Sequence, residues 1–180
     1  MAETPDRSVF YDELLTSYGE TLTARPHAMG FFDWFQKQGA DALASGRHDA
    51  DLLFRRVGIT FNVYGDQEGA ERLIPFDLIP RILTAAEWST LERGLAQRVN
   101  ALNAFLQDIY HEQRIISEKI VPADLIHQNP QYRPELHGVK LPHDVWAHIS
   151  GIDIVRAEKG EFYVLEDNLR VPSGVSYMIE

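Results

Sequence analysis

The sequence predicts an α+β fold, and three observations carry that prediction. Apolar residues recur at spacings of three and four from Trp88 to Ile109, as on one face of a long helix. Short period-two segments rich in β-branched and aromatic residues occur at Ile59-Thr-Phe-Asn-Val-Tyr64, Gly151-Ile-Asp-Ile-Val155 and Glu161-Phe-Tyr-Val-Leu-Glu166. Turn-forming residues separate these segments from possible partners. The resulting organisation is a helical N-terminal segment, residues 1–57, followed by residues 58–180, which carry the antiparallel or mixed sheet.

In the N-terminal segment, Val9, Tyr11, Leu14, Leu15 and Tyr18 predict a short amphipathic helix over residues 8–18, with Gly19 as its stop. Residues 23–27 read as a connection. A second helical stretch carries Met29, Phe31, Phe32, Trp34 and Phe35, a cluster read as core, with a partner-binding patch as the alternative. A third, with Ala42, Leu43, Leu52, Leu53 and Phe54, runs to about Arg56 and ends at Gly58.

The strand at residues 59–64 meets turn chemistry in Gly65-Asp-Gln-Glu-Gly69, and Glu71-Arg-Leu-Ile-Pro75 is the returning strand of a hairpin. The glycine-bounded turn lacks the Lys-Ser/Thr and the helix start of a phosphate loop. Pro75 and Pro80 exclude a long regular element between them. Thr84 and Glu87 stand in capping-box relation ahead of the long helix. Its Trp88, Leu91, Leu95, Val99, Leu102, Phe105, Leu106 and Ile109 predict one continuous buried face. A further domain-like stretch begins near Pro122, where Pro130, Pro134 and Pro142 mark loops and short helices up to about Trp146. His137, His143 and His148 match no standard metal-site spacing.

Composition excludes several function classes. The 180 residues carry a net charge of -10 and no Lys/Arg-rich run, whereas phosphate contacts need concentrated basic surface, so nucleic acid is not an expected partner. The absence of cysteine removes disulfides, thiolate metal sites and a cysteine nucleophile. The first residues lack the basic and apolar regions of a signal peptide, and no apolar stretch approaches the roughly 20 residues of a membrane span. A cytoplasmic protein without a membrane partner is the expectation.

Chemistry concentrates in residues 151–174. Ala157-Glu-Lys-Gly160 supplies a tight turn between two strands, and a two-residue loop at Glu158 and Lys159 sets Asp153 opposite Val164 and Gly151 opposite Glu166. In that register Asp153 and Glu166 project from one face as diagonal neighbours, about 7–8 Å apart by the usual sheet spacing. Asn168 follows on the same face, which also holds Val155, Phe162 and Val164. Three oxygen-bearing side chains converging from two strands suit a hard cation such as Mg²⁺.

Gly151-Ile-Asp-Ile-Val-Arg-Ala-Glu-Lys-Gly-Glu-Phe-Tyr-Val-Leu-Glu-Asp-Asn-Leu-Arg-Val-Pro-Ser-Gly174 resembles the metal-binding β-hairpin of ATP-grasp enzymes such as D-alanine–D-alanine ligases. Gly151 stands where many of those ligases place a basic residue. Together with Gly58-Ile-Thr-Phe-Asn-Val-Tyr-Gly-Asp66, Glu71-Arg-Leu-Ile-Pro-Phe-Asp-Leu-Ile-Pro-Arg81, Glu87-Trp88 and Leu169-Arg-Val-Pro-Ser-Gly-Val-Ser-Tyr177, it is similar to the circularly permuted ATP-grasp proteins related to glutathionylspermidine synthase. The similarity runs from about Arg25 to the last residue.

The resemblance implies that residues 58–180 form part of a permuted ATP-grasp fold. It implies that Asp153, Glu166 and Asn168 hold Mg²⁺, and that Arg170, with Ser173 and Gly174, lies on the substrate side, Arg170 in a catalytic role. ATP, a carboxylate and an amine, as small molecules or peptides, are the implied partners of an amide-forming ligase acting through an acyl-phosphate. In that family the lysine-bearing strands that clasp the nucleotide follow the hairpin, so the clasp is expected beyond residue 180. A non-catalytic fragment and a protein-interaction module are the alternatives.

Overall fold

A computed structural model describes residues 11–18, 21–62, 71–157 and 159–179. It is α+β, with helices and three separate two-stranded sheets among the described residues. The chain forms two compact units, one of residues 1–85, 156–161 and 173–180, the other of residues 86–155 and 162–172.

The first unit opens with an antiparallel pair, β1 (Leu15–Tyr18) and β2 (Thr21–Ala24), with Leu15 opposite Ala24 and Tyr18 opposite Thr21. This corrects the helix expected over residues 8–18, of which residues 8–10 lie outside the described part. The apolar spacing of five residues fits either element, and local hydrogen bonding decides between them. The Asp12 carboxylate accepts from the backbone N–H groups of Leu14 and Leu15 at 2.9 and 2.8 Å, a turn that competes with helix. Backbone carbonyls are also taken from outside the segment: Arg25 Nε donates to Asp12 and Leu15, and His27 Nε2 meets the carbonyl of Glu13. Thr23 and Ala24 belong to a strand rather than to a connection.

A single 3₁₀ turn, Pro26–Ala28, leads into α1 (Met29–Phe35) and then α2 (Ala40–Val57). Gly58 adopts φ 84° and closes α2 by donating to the Phe54 carbonyl, the left-handed cap that glycine takes without steric cost. The aromatic cluster of α1 is looser than a core. Phe31 contacts Phe32, Trp34 and Phe35 at 5.7–6.0 Å between ring centres, but no residue of α1 is buried and Trp34 is half exposed.

Beyond α2, β3 (Thr60–Asn62) pairs antiparallel with β4 (Glu71–Leu73), Thr60 facing Leu73, which is the expected hairpin. Its turn at residues 65–69 lies outside the described residues. No regular element forms between the two prolines at 75 and 80. Across the unit, Arg81 grips the Glu13 carboxylate with both Nε and Nη2, at 2.6–3.0 Å.

The second unit is built on α3 (Ala85–Ile109), the 25-residue helix expected from its apolar spacing. Leu91 and Ile109 are buried and most of the apolar face is half buried, but Trp88 is 53% exposed, so the expected continuous buried face starts one turn later. At the helix end, Asp108 turns the chain. Its two carboxylate oxygens accept from the backbone N–H groups of Arg114 and Ile115, both at 3.0 Å, and so cap α4 (Arg114–Ser117). Helix α5 (Ala123–His127) follows and contributes Ile126 to a core with Ile109 and Tyr110.

The proline-rich stretch is irregular, as its composition demands, yet it is pinned. Tyr110 is stacked between Tyr132 and Trp146, with ring centres at 5.1 and 4.8 Å. The Trp146 indole donates to Gln107 Oε1 at 2.7 Å. Asn103 Oδ1 accepts from the backbone N–H groups of both Trp146 and Ala147, at 2.7 and 2.9 Å, and its amide donates to Val99. The remaining strands, β5 (Gly151–Arg156) and β6 (Phe162–Asn168), form the third sheet, and α6 (Gly174–Ile179) belongs to the first unit.

Asn103 replaces water for two half-buried backbone donors that no ladder satisfies. Asn103→Ala is therefore expected to lower unfolding stability by about 1–3 kcal/mol, the cost of stranding buried donors, read by urea denaturation.

Candidate metal-binding hairpin

The turn between β5 and β6 sets the geometry of the site. Gly160 N–H donates to the Ala157 carbonyl and Ala157 N–H to the Glu161 carbonyl, both at 2.8 Å, with Gly160 at φ 79°. These are the marks of a three-residue connection in which a left-handed glycine completes the turn. The glycine is also hemmed in: a Cβ at Gly160 would lie 2.8 Å from the Tyr11 ring.

Ala157 therefore faces Glu161, one step away from the register expected for a two-residue loop. Asp153 does not face Val164, and Gly151 does not face Glu166. Continued unchanged, the turn's register would set Asp153 opposite Leu165 and leave Glu166 and Asn168 on the other side of the sheet. At the far end of the hairpin, however, a Cβ built on Gly151 falls 3.6 Å from Asn168 Cβ, a separation open only to residues on one face. Between the two ends β6 must hold one residue more than β5, which is a β-bulge.

Exposure locates it. Along β5 the outward residues are Asp153 and Val155, and along β6 exposure alternates until Leu165 and Glu166, which are exposed in succession. The bulge thus lies at Leu165–Glu166, opposite Asp153. It turns Glu166 and then Asn168 to the side of Asp153, and Asp167 to the side of Ile152 and Ile154. Val155 shares the outward face as expected, whereas Phe162 and Val164 lie on the other one, a consequence of the same change in register.

On the outward face Asn168 Nδ2 donates to Glu166 Oε1 at 3.1 Å. Among the described residues the Asp153 carboxylate makes no hydrogen bond or ion pair, and the Glu166 carboxylate accepts only from Asn168. No group of three or more His, Cys, Asp or Glu side chains converges on a metal position among the described residues, the three histidines of the proline-rich stretch included. The hairpin offers a different set: two carboxylates and an amide.

On the inward face Arg98 of α3 forks onto Asp167, Nε and Nη2 each 2.6 Å from a carboxylate oxygen. That hydrogen bonding, reinforced by charge and opposed by burial, holds the Asp167 carboxyl below its ordinary value and raises the Arg98 guanidinium. Arg98 was not identifiable from the sequence, because it precedes Asp167 by 69 residues on another element and no local pattern joins the two.

Past β6 the chain doubles back. Arg170 Nη1 donates to Gln131 Oε1 at 2.6 Å, rather than to Asp167 or Glu166. Val171 takes φ 51°, a left-handed conformation unusual for a β-branched residue, and Pro172 packs over Gly151, where a Cβ would lie 2.9 Å from Pro172 Cβ. Ser173 is exposed, and Gly174 opens α6 with nothing within 4 Å of its Cβ position.

Residues 80–180, more than half of the chain, match the family described as circularly permuted ATP-grasp type 2, and the chain belongs to that family. An uncharacterized protein of Synechocystis sp. is 45% identical over 175 residues, which cover 97% of this chain and 36% of that protein. An uncharacterized protein of Mycobacterium tuberculosis is 39% identical over 180 residues, covering 91% and 32%. A protein of Frankia alni bearing the name "Putative glutamate--cysteine ligase 2-3" is 41% identical over 174 residues, covering 94% and 19%. The chain thus spans between 19% and 36% of the length of these relatives. No helix among the described residues is long and apolar enough to cross a membrane.

Two outcomes follow from this geometry. Gly151→Ala forces Pro172 aside and is expected to cost about 1–3 kcal/mol in chemical denaturation, the usual range for overpacking. Because the folded-state value of Asp167 is depressed, its ion pair contributes fully above the ordinary aspartate range, about pH 4, and the contribution is lost as pH falls below that range. Acid unfolding followed by circular dichroism should accordingly be less steep in Asp167→Asn than in the parent chain.

Proposed function

We propose that this chain is the metal-binding front part of an ATP- and Mg²⁺-dependent carboxylate–amine ligase that forms an amide or peptide bond through an acyl-phosphate. The observation that carries the reading is the bulge at Leu165–Glu166, which supplies the shared face of Asp153, Glu166 and Asn168. Family membership and the ligase name of the Frankia relative support the same reaction class.

The donor set fits a hard divalent cation. All three side chains offer oxygen, and because the Asn168 amide nitrogen is committed to Glu166, the Asn168 oxygen and a second Glu166 oxygen are the atoms left for a cation. When bound, Mg²⁺ supplies charge neutralisation to the transferring phosphoryl group. Asp153 and Glu166 would hold the cation from the two paired strands, and Asn168 would complete the set without adding charge.

Arg170 is assigned to the substrate side, in a catalytic role, with Ser173 and Gly174. Its partner Gln131 is neutral, so the guanidinium keeps its charge for a carboxylate or acyl-phosphate, whose paired oxygens match its fork. ATP, the carboxylate and the amine are the partners in this reading. The cation site is assigned to residues 58–180.

Titration of the chain with Mn²⁺, followed by electron paramagnetic resonance, tests the assignment. Saturable binding is expected, weakened about tenfold or more in Asp153→Asn and in Glu166→Gln, a loss at least as large as that for residues behind metal ligands. Binding unchanged in both variants, or no binding in the parent chain, would sink the cation reading and leave a non-catalytic module.

A further inference from the structure

We propose that Arg98 and Asp167 are positioning residues that hold Glu166 and Asn168 in the geometry a cation needs. The inference rests on reading the outward face of the hairpin as a cation site. Asp167 stands between the two candidate ligands in sequence, and strand alternation past the bulge turns it to the opposite face. There the Arg98 fork takes both of its oxygens at 2.6 Å. A two-point contact between planar groups fixes orientation as well as distance, so it restrains rotation of the strand about its own axis at residue 167. Rotation at that residue would swing both neighbouring side chains on the far face.

Such a restraint matters most where it is found. A bulge interrupts the ladder hydrogen bonds that otherwise hold a strand's twist, and the Arg98–Asp167 contact comes immediately after one. Its other end is anchored on α3, a 25-residue helix, so the contact ties the irregular part of β6 to a rigid element. Neither residue touches the cation. They act through the Glu166–Asn168 hydrogen bond, at 3.1 Å, which the strand must be correctly rotated to make.

Nuclear magnetic resonance on the ¹⁵N-labelled chain gives two readouts, one of them independent of metal. The Asn168 side-chain amide should carry the chemical shift of a donor bonded to Glu166, a shift that Glu166→Ala removes, and Mn²⁺ should broaden it. In Asp167→Asn, with the backbone spectrum of a folded chain, the Asn168 amide is expected to move to its position in Glu166→Ala and the Mn²⁺ concentration for half-broadening to rise about tenfold, the loss typical of groups that orient metal ligands. Arg98→Lys, which keeps the charge but not the fork, should lie between the two, and it decides the matter in the same way if Asp167→Asn does not fold. Retention of the parent Asn168 shift and half-broadening point in a folded variant overturns the positioning role. An Asn168 amide that moves in Asp167→Asn, with no Mn²⁺ broadening even in the parent chain, upholds positioning and overturns the cation reading alone.

Discussion

In a two-stranded hairpin every side chain is committed to one of two faces, and the turn decides which. Here the three-residue connection at residues 158–160 would, by itself, separate Asp153 from Glu166 and Asn168. One additional residue in β6 reverses that outcome. The extra residue unites the three oxygens on the outward face and gives Asp167 to the inward one, where Arg98 meets it. The candidate chemistry, the ion pair behind it and the close return of Pro172 over Gly151 all depend on this one-residue slip.

The two faces of the hairpin consequently have different electrostatic characters. The inward carboxylate is neutralised by a guanidinium, whereas the outward carboxylates have no cationic partner among the described residues. Leaving two carboxylates unpaired is inexpensive in water, because both are exposed. They carry negative potential at the surface without burdening the fold. Polar interactions elsewhere in the second unit are structural by contrast: Asn103, Gln107 and Asp108 all spend their side chains on the path of the following segment.

Much of this was legible in the sequence, for identifiable reasons. The long helix, the glycine that ends α2, the 59–73 hairpin and the hairpin of β5 and β6 announce themselves by periodicity and turn residues, which are local signals. The N-terminal helix failed because five apolar residues at mixed spacing cannot outweigh Asp12, whose carboxylate captures two backbone donors, or Arg25, which captures carbonyls from thirteen and ten residues away. The hairpin register failed for a subtler reason. Its loop admits two lengths, and a bulge leaves no mark in composition, so the faces of Val155 and Asp153 followed from alternation while those of Phe162 and Val164 did not. The register inferred from the residues was off by one, yet Asp153, Glu166 and Asn168 still come to one face, because the extra residue of β6 offsets the longer turn.

Gly151 carries a consequence for how this hairpin can change over time. Many ATP-grasp ligases place a basic residue at the corresponding point, but here the volume such a side chain would occupy already belongs to Pro172. Position 151 is thus tied to the route the chain takes through Val171, whose left-handed backbone brings Pro172 over the strand end. A lineage acquiring a larger residue at 151 would have to reroute residues 171–172 in concert, so the two places are free to drift only as a pair.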